Sequence, residues 1–362
     1  MSTQPLFTPF TLGPATLANR VVMAPMTRCR ATADHVPTPI MATYYAARAS
    51  AGLLITEGTS PHPDGSGYAR IPGLYTDAQV AAWRDVTDAV HARGGRIFVQ
   101  LMHTGRASHP ANLEPGARVV APSAVALTNT IWTDTAGMQP YPVPEAMTET
   151  DIEEAIASFV TASRNALAAG FDGVELHAAN GYLLDQFLNT ASNQRTDRWG
   201  GSVENRIRFV VEIARRVTRA IGHGRVGLRV SPYGVFNDQQ PDPEMDALYA
   251  ALARELSALN LVYIHVVDHS AMGAPAVPDS VKQAIRTNFA GAYLLSGGYD
   301  LARANADLAA QRGELVAFGR PFIANPDLVA RLQHGQALAD ADPATFYTPG
   351  EQGYSDYPAL SR

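Results

Sequence analysis

The chain has 362 residues, 46% of them hydrophobic and 17% charged, a composition that excludes disorder and supplies apolar material for one large core or two average ones. A formal net charge of −6 and a pI near 5.9 argue against the broad cationic surface of a nucleic-acid protein and leave room for a local anion site. The single cysteine, Cys29, excludes an internal disulfide and a thiolate metal cluster, and suits a reducing, cytoplasmic location.

The opening stretch MSTQPLFTPFTLGPATLANR lacks a basic region followed by an apolar run, and no later segment approaches the roughly 20 apolar residues of a membrane span. A soluble, unprocessed chain is expected. Before residue 21, the turn signals Pro9, Gly13 and Pro14 predict a hairpin that caps the N-terminal end of the folded domain. Residues 21–26 form a short apolar run with no helical period, the pattern of a buried strand. A helical stretch at 40–49 leads to a second run at 52–58, and the unit repeats: helical pattern at 77–92 before a strand at 96–101, at 150–169 before 173–177, at 203–220 before 225–230, and at 243–259 before 261–267. Strands at 292–296 and 315–319 and a helix at 326–333 bring the count to eight strands alternating with helices.

Such alternation requires a parallel sheet with right-handed crossovers, and eight units predict an α/β fold, a (β/α)₈ TIM barrel spanning 1–362 as one domain. The competing doubly wound sheet lacks its GxGxxG or GKS/T signature after any strand. Residues 108–147, rich in Pro, Ala and Thr and without strong period, are expected to be a long functional loop after strand three that overhangs the site.

Barrel active sites stand at the C-terminal ends of strands. Polar residues recur there: Thr27 after strand one, Gln100 and His103 after strand three, His177 and Asn180 after strand four, Arg229 on strand five, Ser296, Gly297 and Gly298 after strand seven, and Gly319 and Arg320 after strand eight. Singly, each reads more simply as a satisfied surface group; together they suit a flat heterocycle with several donors and acceptors. A metal at His177 and Asn180 is disfavoured, since no third ligand of suitable type lies nearby and Asn binds transition metals poorly. Asp172, Glu175 and Asp185 are read as structural rather than as an acid–base pair.

Three runs, Asn19-Arg20-Val21-Val22-Met23-Ala24-Pro25-Met26-Thr27-Arg28, Gln100-Leu101-Met102-His103-Thr104-Gly105-Arg106 and above all His177-Ala178-Ala179-Asn180-Gly181-Tyr182-Leu183-Leu184-Asp185-Gln186-Phe187-Leu188, resemble the old yellow enzyme family of FMN oxidoreductases. The runs at 192–206, 317–326 and 353–358 extend the likeness over essentially the whole chain. The resemblance implies an ene-reductase with non-covalent FMN, reduced by NADPH, with NADH possible, and oxidised by α,β-unsaturated carbonyls or nitroalkenes; nitrate esters and nitroaromatics are the alternative oxidants. It implies that Pro25, Met26, Thr27, Gln100 and Arg229 contact the flavin ring, that Gly298, Gly319 and Arg320 hold its phosphate, and that Gly58, Ser296 and Gly297 also belong to the cofactor site. His177 and Asn180 match the pair that holds the substrate oxygen, and Tyr182 matches the proton donor, although an aromatic there would otherwise read as packing. Tyr68, Met102 and Tyr354 join Thr27, His177, Asn180 and Tyr182 as implied substrate contacts. Two departures bear on this: Met102 stands where many members carry Trp, which reshapes the pocket, and Thr27 places the chain in the branch without Cys there, leaving Cys29 structural. A monomer or homodimer acting on small molecules, without nucleic-acid or membrane partners, is expected.

Overall fold

The apolar runs fold as strands because their side chains are buried on both faces of the sheet. In a computed structural model, which describes residues 4–360, they form β1 (Val21–Met23), β2 (Leu53–Thr59), β3 (Ile97–Leu101), β4 (Gly173–Ala178), β5 (Val226–Val230), β6 (Tyr263–Val267), β7 (Ala292–Ser296) and β8 (Leu315–Phe318). All eight pair in parallel in chain order, and β8 returns to β1 to close the barrel. The first three and last two residues of the expected 1–362 span lie outside the described residues.

Local chemistry sets the helix ends. Thr76 with Gln79 and Thr148 with Asp151 form capping boxes that start the helices Asp77–His91 and Glu149–Ala168, and Gly222, at φ 91°, ends the helix Val203–Ile221 with a conformation open to glycine. The core has two shells. The larger lies between strands and helices, where fully buried Trp83 donates its indole N–H to Gly73 O and meets Phe171 edge-on. The smaller fills the barrel with Val22, Leu53, Ile55, Phe98, Tyr263, Leu294 and Leu315, closed below by Leu12 and Leu17.

Those two leucines come from the N-terminal hairpin, Phe10–Leu12 paired with Ala15–Leu17, which plugs the barrel as its turn residues predict. Strand one stops earlier than its apolar run suggests. Ala24 N–H donates to Phe318 O, but Pro25 has no N–H, so Pro25, Met26 and Thr27 leave the ladder and turn across the barrel mouth. The stretch 108–147 is more ordered than its composition predicts: Val120–Ala121 pairs with Glu145–Ala146, and Thr130–Thr133 pairs with Gly137–Pro140 as a hairpin. Its inward residues Ile131 and Thr133 alternate with outward ones, over a length too short to register as a period.

The plug depends on a close approach. Gly13 has φ +53°, and a Cβ there would lie 2.2 Å from Gly224 O. Gly13→Ala adds a steric clash to a backbone conformation that L-residues adopt at a penalty, and is expected to destabilise the fold by about 2 kcal/mol. Thermal denaturation with a midpoint equal to the parent's would show that the turn relaxes freely.

Candidate active site

Strand register stacks the inward side chains in levels. His177 on β4 is level with Arg229 on β5 and His265 on β6. Two residues back, on the same inward face, Glu175 is level with Gln100, Gly227 and Tyr263. Glu175 is fully buried and accepts from Gln100 Nε2 (2.7 Å), Tyr263 OH (3.0 Å) and His265 Nδ1 (2.8 Å). Gly227 makes this possible, since a Cβ there would fall 2.2 Å from the Tyr263 ring. Burial pushes the Glu175 carboxyl up, but His265 and Arg229 outweigh it and hold it below its usual range. Burial lowers His265, which stays neutral and donates a hydrogen bond. Arg229 supplies the countercharge.

Arg229 is itself the anomaly. It is 6% exposed, yet its guanidinium finds no protein acceptor among the described residues, and its Nε is buried without a partner. A buried cation without hydrogen bonds is costly, so this one is built to meet an acceptor from outside the chain.

It faces a cavity with two lobes. One, of about 850 Å³, is lined among others by Cys29, Gln100, Met102, His177, Tyr141 and Ile131. The other, of about 630 Å³, runs past Met26, His269, Gly297, Gly298, Gly319 and Arg320. Pro25, Thr27, Tyr68, Asn180, Tyr182, Arg229 and Tyr347 line both. Beside the shared throat, His177 of the first lobe meets Tyr182 edge-on with ring centres 5.0 Å apart, and Tyr182 OH donates to Tyr68 OH at 3.3 Å. Burial, then the charge of Arg229, holds His177 well below its ordinary value, so the imidazole is neutral at pH 7. Burial also pushes the Tyr182 phenol up to about 12, which keeps it protonated.

A tight turn presents these groups. Asn180 and Gly181 have φ 59° and 71°, and Asp185 Oδ2 accepts Gly181 N–H while Ser231 Oγ accepts Asn180 N–H, both at 2.8 Å. Tyr182 sits at the start of the short helix Leu183–Leu188, whose first N–H donates to His103 O.

The profile of the NADH:flavin oxidoreductase / NADH oxidase family matches residues 5–339. The chain belongs to that family. It is 44% identical over 356 residues to a probable flavin mononucleotide-dependent alkene reductase of Leishmania infantum, covering 97% of this chain and 96% of the other. Morphinone reductase superposes with a TM-score of 0.95 at 43% identity, covering 99% of this chain and 97% of that one; it has also been solved in complex with tetrahydroNAD. The old yellow enzyme homologue from Zymomonas mobilis superposes with a TM-score of 0.94 at 40% identity, covering 98% and 99%. The barrel is thus that of an old yellow enzyme, and the protein is an NAD(P)H-dependent flavin oxidoreductase of the ene-reductase kind.

The second lobe has the features of a flavin phosphate and ring site. Gly297 and Gly298 have φ 131° and 62°, and a Cβ on them would meet Asp268 O at 2.2 Å and Ala271 Cβ at 2.6 Å. Their N–H groups find no protein acceptor among the described residues, an arrangement suited to phosphate oxygens. Ser296, Gly319 and the exposed Arg320 stand beside them. Thr27 Oγ and Gln100 Oε1 are likewise unpaired and line the cavity.

Two implied contacts lie elsewhere. Gly58 is behind Met102, where a Cβ would meet the sulfur at 2.4 Å, so it gives Met102 its place and does not line either lobe. Tyr354 is fully buried and stacked on Tyr44 at 4.0 Å, away from the cavity. Tyr347, on the same C-terminal segment, occupies the wall instead. Cys29, read as structural, also reaches that wall. Sequence reasoning missed Tyr141, Ile131 and Tyr347 because none sits at the end of a barrel strand, and it passed over His269 although it follows β6 by two residues. Among the described residues no cluster suited to a metal occurs, and no helix is long and apolar enough to cross a membrane.

Asp185 anchors the turn under a titratable strain. Burial raises its carboxyl to about 7, against the opposing pull of Gly181 N–H and Ser231. A raised acid binds its proton more tightly in the folded state, so its contribution to stability is complete below the ordinary carboxylate range and is lost as pH rises towards 7. Asp185→Asn keeps an acceptor for Gly181 and removes the titration. Its denaturant midpoint is expected to fall less than the parent's between pH 4 and 7; parallel curves would refute the assignment.

Proposed function

We propose that the chain reduces the C=C bond of α,β-unsaturated carbonyls and nitroalkenes, with FMN held non-covalently and NADPH as reductant in preference to NADH. The observation that carries this reading is the placement of two neutral groups able to donate, His177 and Asn180, in the same lobe as the protonated Tyr182 phenol. FMN, once bound, would supply the hydride chemistry between nicotinamide and substrate. The rest falls to the protein.

Arg229 and Gln100 would hold the flavin's pyrimidine side, Pro25, Met26 and Thr27 its face and reactive edge, and Ser296, Gly297, Gly298, Gly319 and Arg320 its phosphate. Arg229 then finds the acceptor it lacks in the protein, and its charge favours anionic character in the adjacent ring. His177 and Asn180 donate to the substrate's carbonyl or nitro oxygen, where negative charge grows during hydride arrival. Neutral donors suit the task, because they stabilise the oxyanion without giving up a proton. Tyr182 OH delivers the proton to the α-carbon, and Tyr68 OH, within hydrogen-bond distance, steadies the phenolate left behind. Met102, Tyr68 and Tyr347 shape the space over the alkene, and Ile131 and Tyr141 bring the hairpin of 108–147 into that selection. We place this enzyme in the cytoplasm, as a monomer or homodimer.

Acid denaturation is expected to release a yellow pigment that behaves as FMN; pigment retained on the denatured chain, or identified as FAD, defeats the cofactor reading. Tyr182→Phe keeps the ring, so its effect isolates the hydroxyl. Stopped-flow traces should show near-normal flavin reduction by NADPH and reoxidation by a cyclic enone slowed about 10²–10⁴-fold. Reoxidation by a nitroalkene, whose nitronate leaves unprotonated, should be spared. Parent-like reoxidation by the enone makes Tyr182 a packing residue.

A further inference from the structure

Asn180 is fixed at three of its polar groups and free at the fourth. Its N–H donates to Ser231 Oγ, its carbonyl accepts from Asn237 Nδ2 at 2.8 Å, and its Oδ1 lies 2.8 Å from His269 Nε2. Nδ2 makes no hydrogen bond among the described residues, and the residue lines both lobes of the cavity. The two ends of a carboxamide have nearly the same shape, and only their partners decide which end faces a ligand. If Oδ1 faced the cavity, it would repel the oxygen of an enone or nitroalkene; with Nδ2 there, it attracts it.

We propose that His269 is a positioning residue for alkene reduction: by donating its Nε2–H to Asn180 Oδ1 it locks the amide with Nδ2 towards the substrate oxygen. This rests on the reading of Asn180 as an oxygen-holding donor. Oδ1 can only accept, so Nε2 must carry the hydrogen. His269 is pushed down to about 4, chiefly by burial and then by Arg229, so at pH 7 it has a single ring hydrogen, and this bond uses it. The ring is set by its neighbours: Phe236 meets it edge-on, with centres 4.7 Å apart, and Phe236 precedes the Asn237 that holds the Asn180 carbonyl. His269 follows β6 and thus acts on a group presented by β4, across the barrel mouth.

The test is phenol binding to the oxidised holoenzyme, read by the long-wavelength charge-transfer band, because a phenolate presents an oxygen like that of the enolate without turnover. His269→Phe should retain FMN and weaken phenol binding roughly tenfold, about the value of one hydrogen bond to a charged partner. His269→Gln, which can donate from Nε2, should recover most of the loss. In an Asn180→Ala background His269→Phe should cause no further loss. Should His269→Phe shed its flavin, His269→Leu replaces it in the same comparison. Unchanged phenol binding in the single variant, or an equal loss in the Asn180→Ala background, overturns the role of His269 alone. An Asn180→Ala protein that binds phenol like the parent overturns the donor reading of Asn180, and the proposal with it.

Discussion

A guanidinium buried without an acceptor is the constraint around which the mouth of this barrel is arranged. Arg229 is drawn into a low-dielectric interior where charge is expensive, and Glu175 on the next strand compensates it only at a distance, through field and not contact. The same field acts on the imidazoles nearby. Burial keeps His177 and His269 from protonating, and the Arg229 charge drives both further the same way. The site is therefore positive in charge but supplies neutral hydrogen-bond donors, a combination suited to a reaction that builds negative charge first on a ring and then on a substrate oxygen.

Beneath that level, the Glu175 cluster converts a charge into geometry. By accepting from Gln100 Nε2 it leaves Gln100 Oε1 pointing into the cavity, and by accepting from Tyr263 and His265 it fills the barrel's centre with oriented groups. Glu175 was legible in the sequence only as an acid within a strand. What the strand pattern did not reveal was that two other strands, β3 and β6, would turn three donors towards it, since register between strands is set by closure of the whole barrel.

The strand–helix alternation was readable almost to the residue, because eight short apolar runs separated by capped helices leave few other folds open. Most of the polar ring at the strand ends was readable too, since a parallel barrel assigns every such position to one face. The failures share a cause. Tyr354 and Tyr347 lie seven positions apart on a segment without period, and nothing local says which ring faces the cavity. The choice is made by Arg28 and Arg30, which bind the carbonyls of Phe346, Gly350, Gln352 and Gly353 and lie over the Tyr354 ring. That packing holds Tyr354 inside and turns Tyr347 towards the cavity. His269 escaped notice for the same reason: its meaning comes from a residue on a strand that is not its neighbour.

The arginine clamp also bears on the order of folding. The contacts from Arg28 to the carbonyls of Phe346 and Gly353 span 318 and 325 residues, nearly the whole chain. Contacts of such separation form late, after the loops between them have closed. The wall bearing Tyr347 is therefore expected to close over the cavity after the intervening strands have paired.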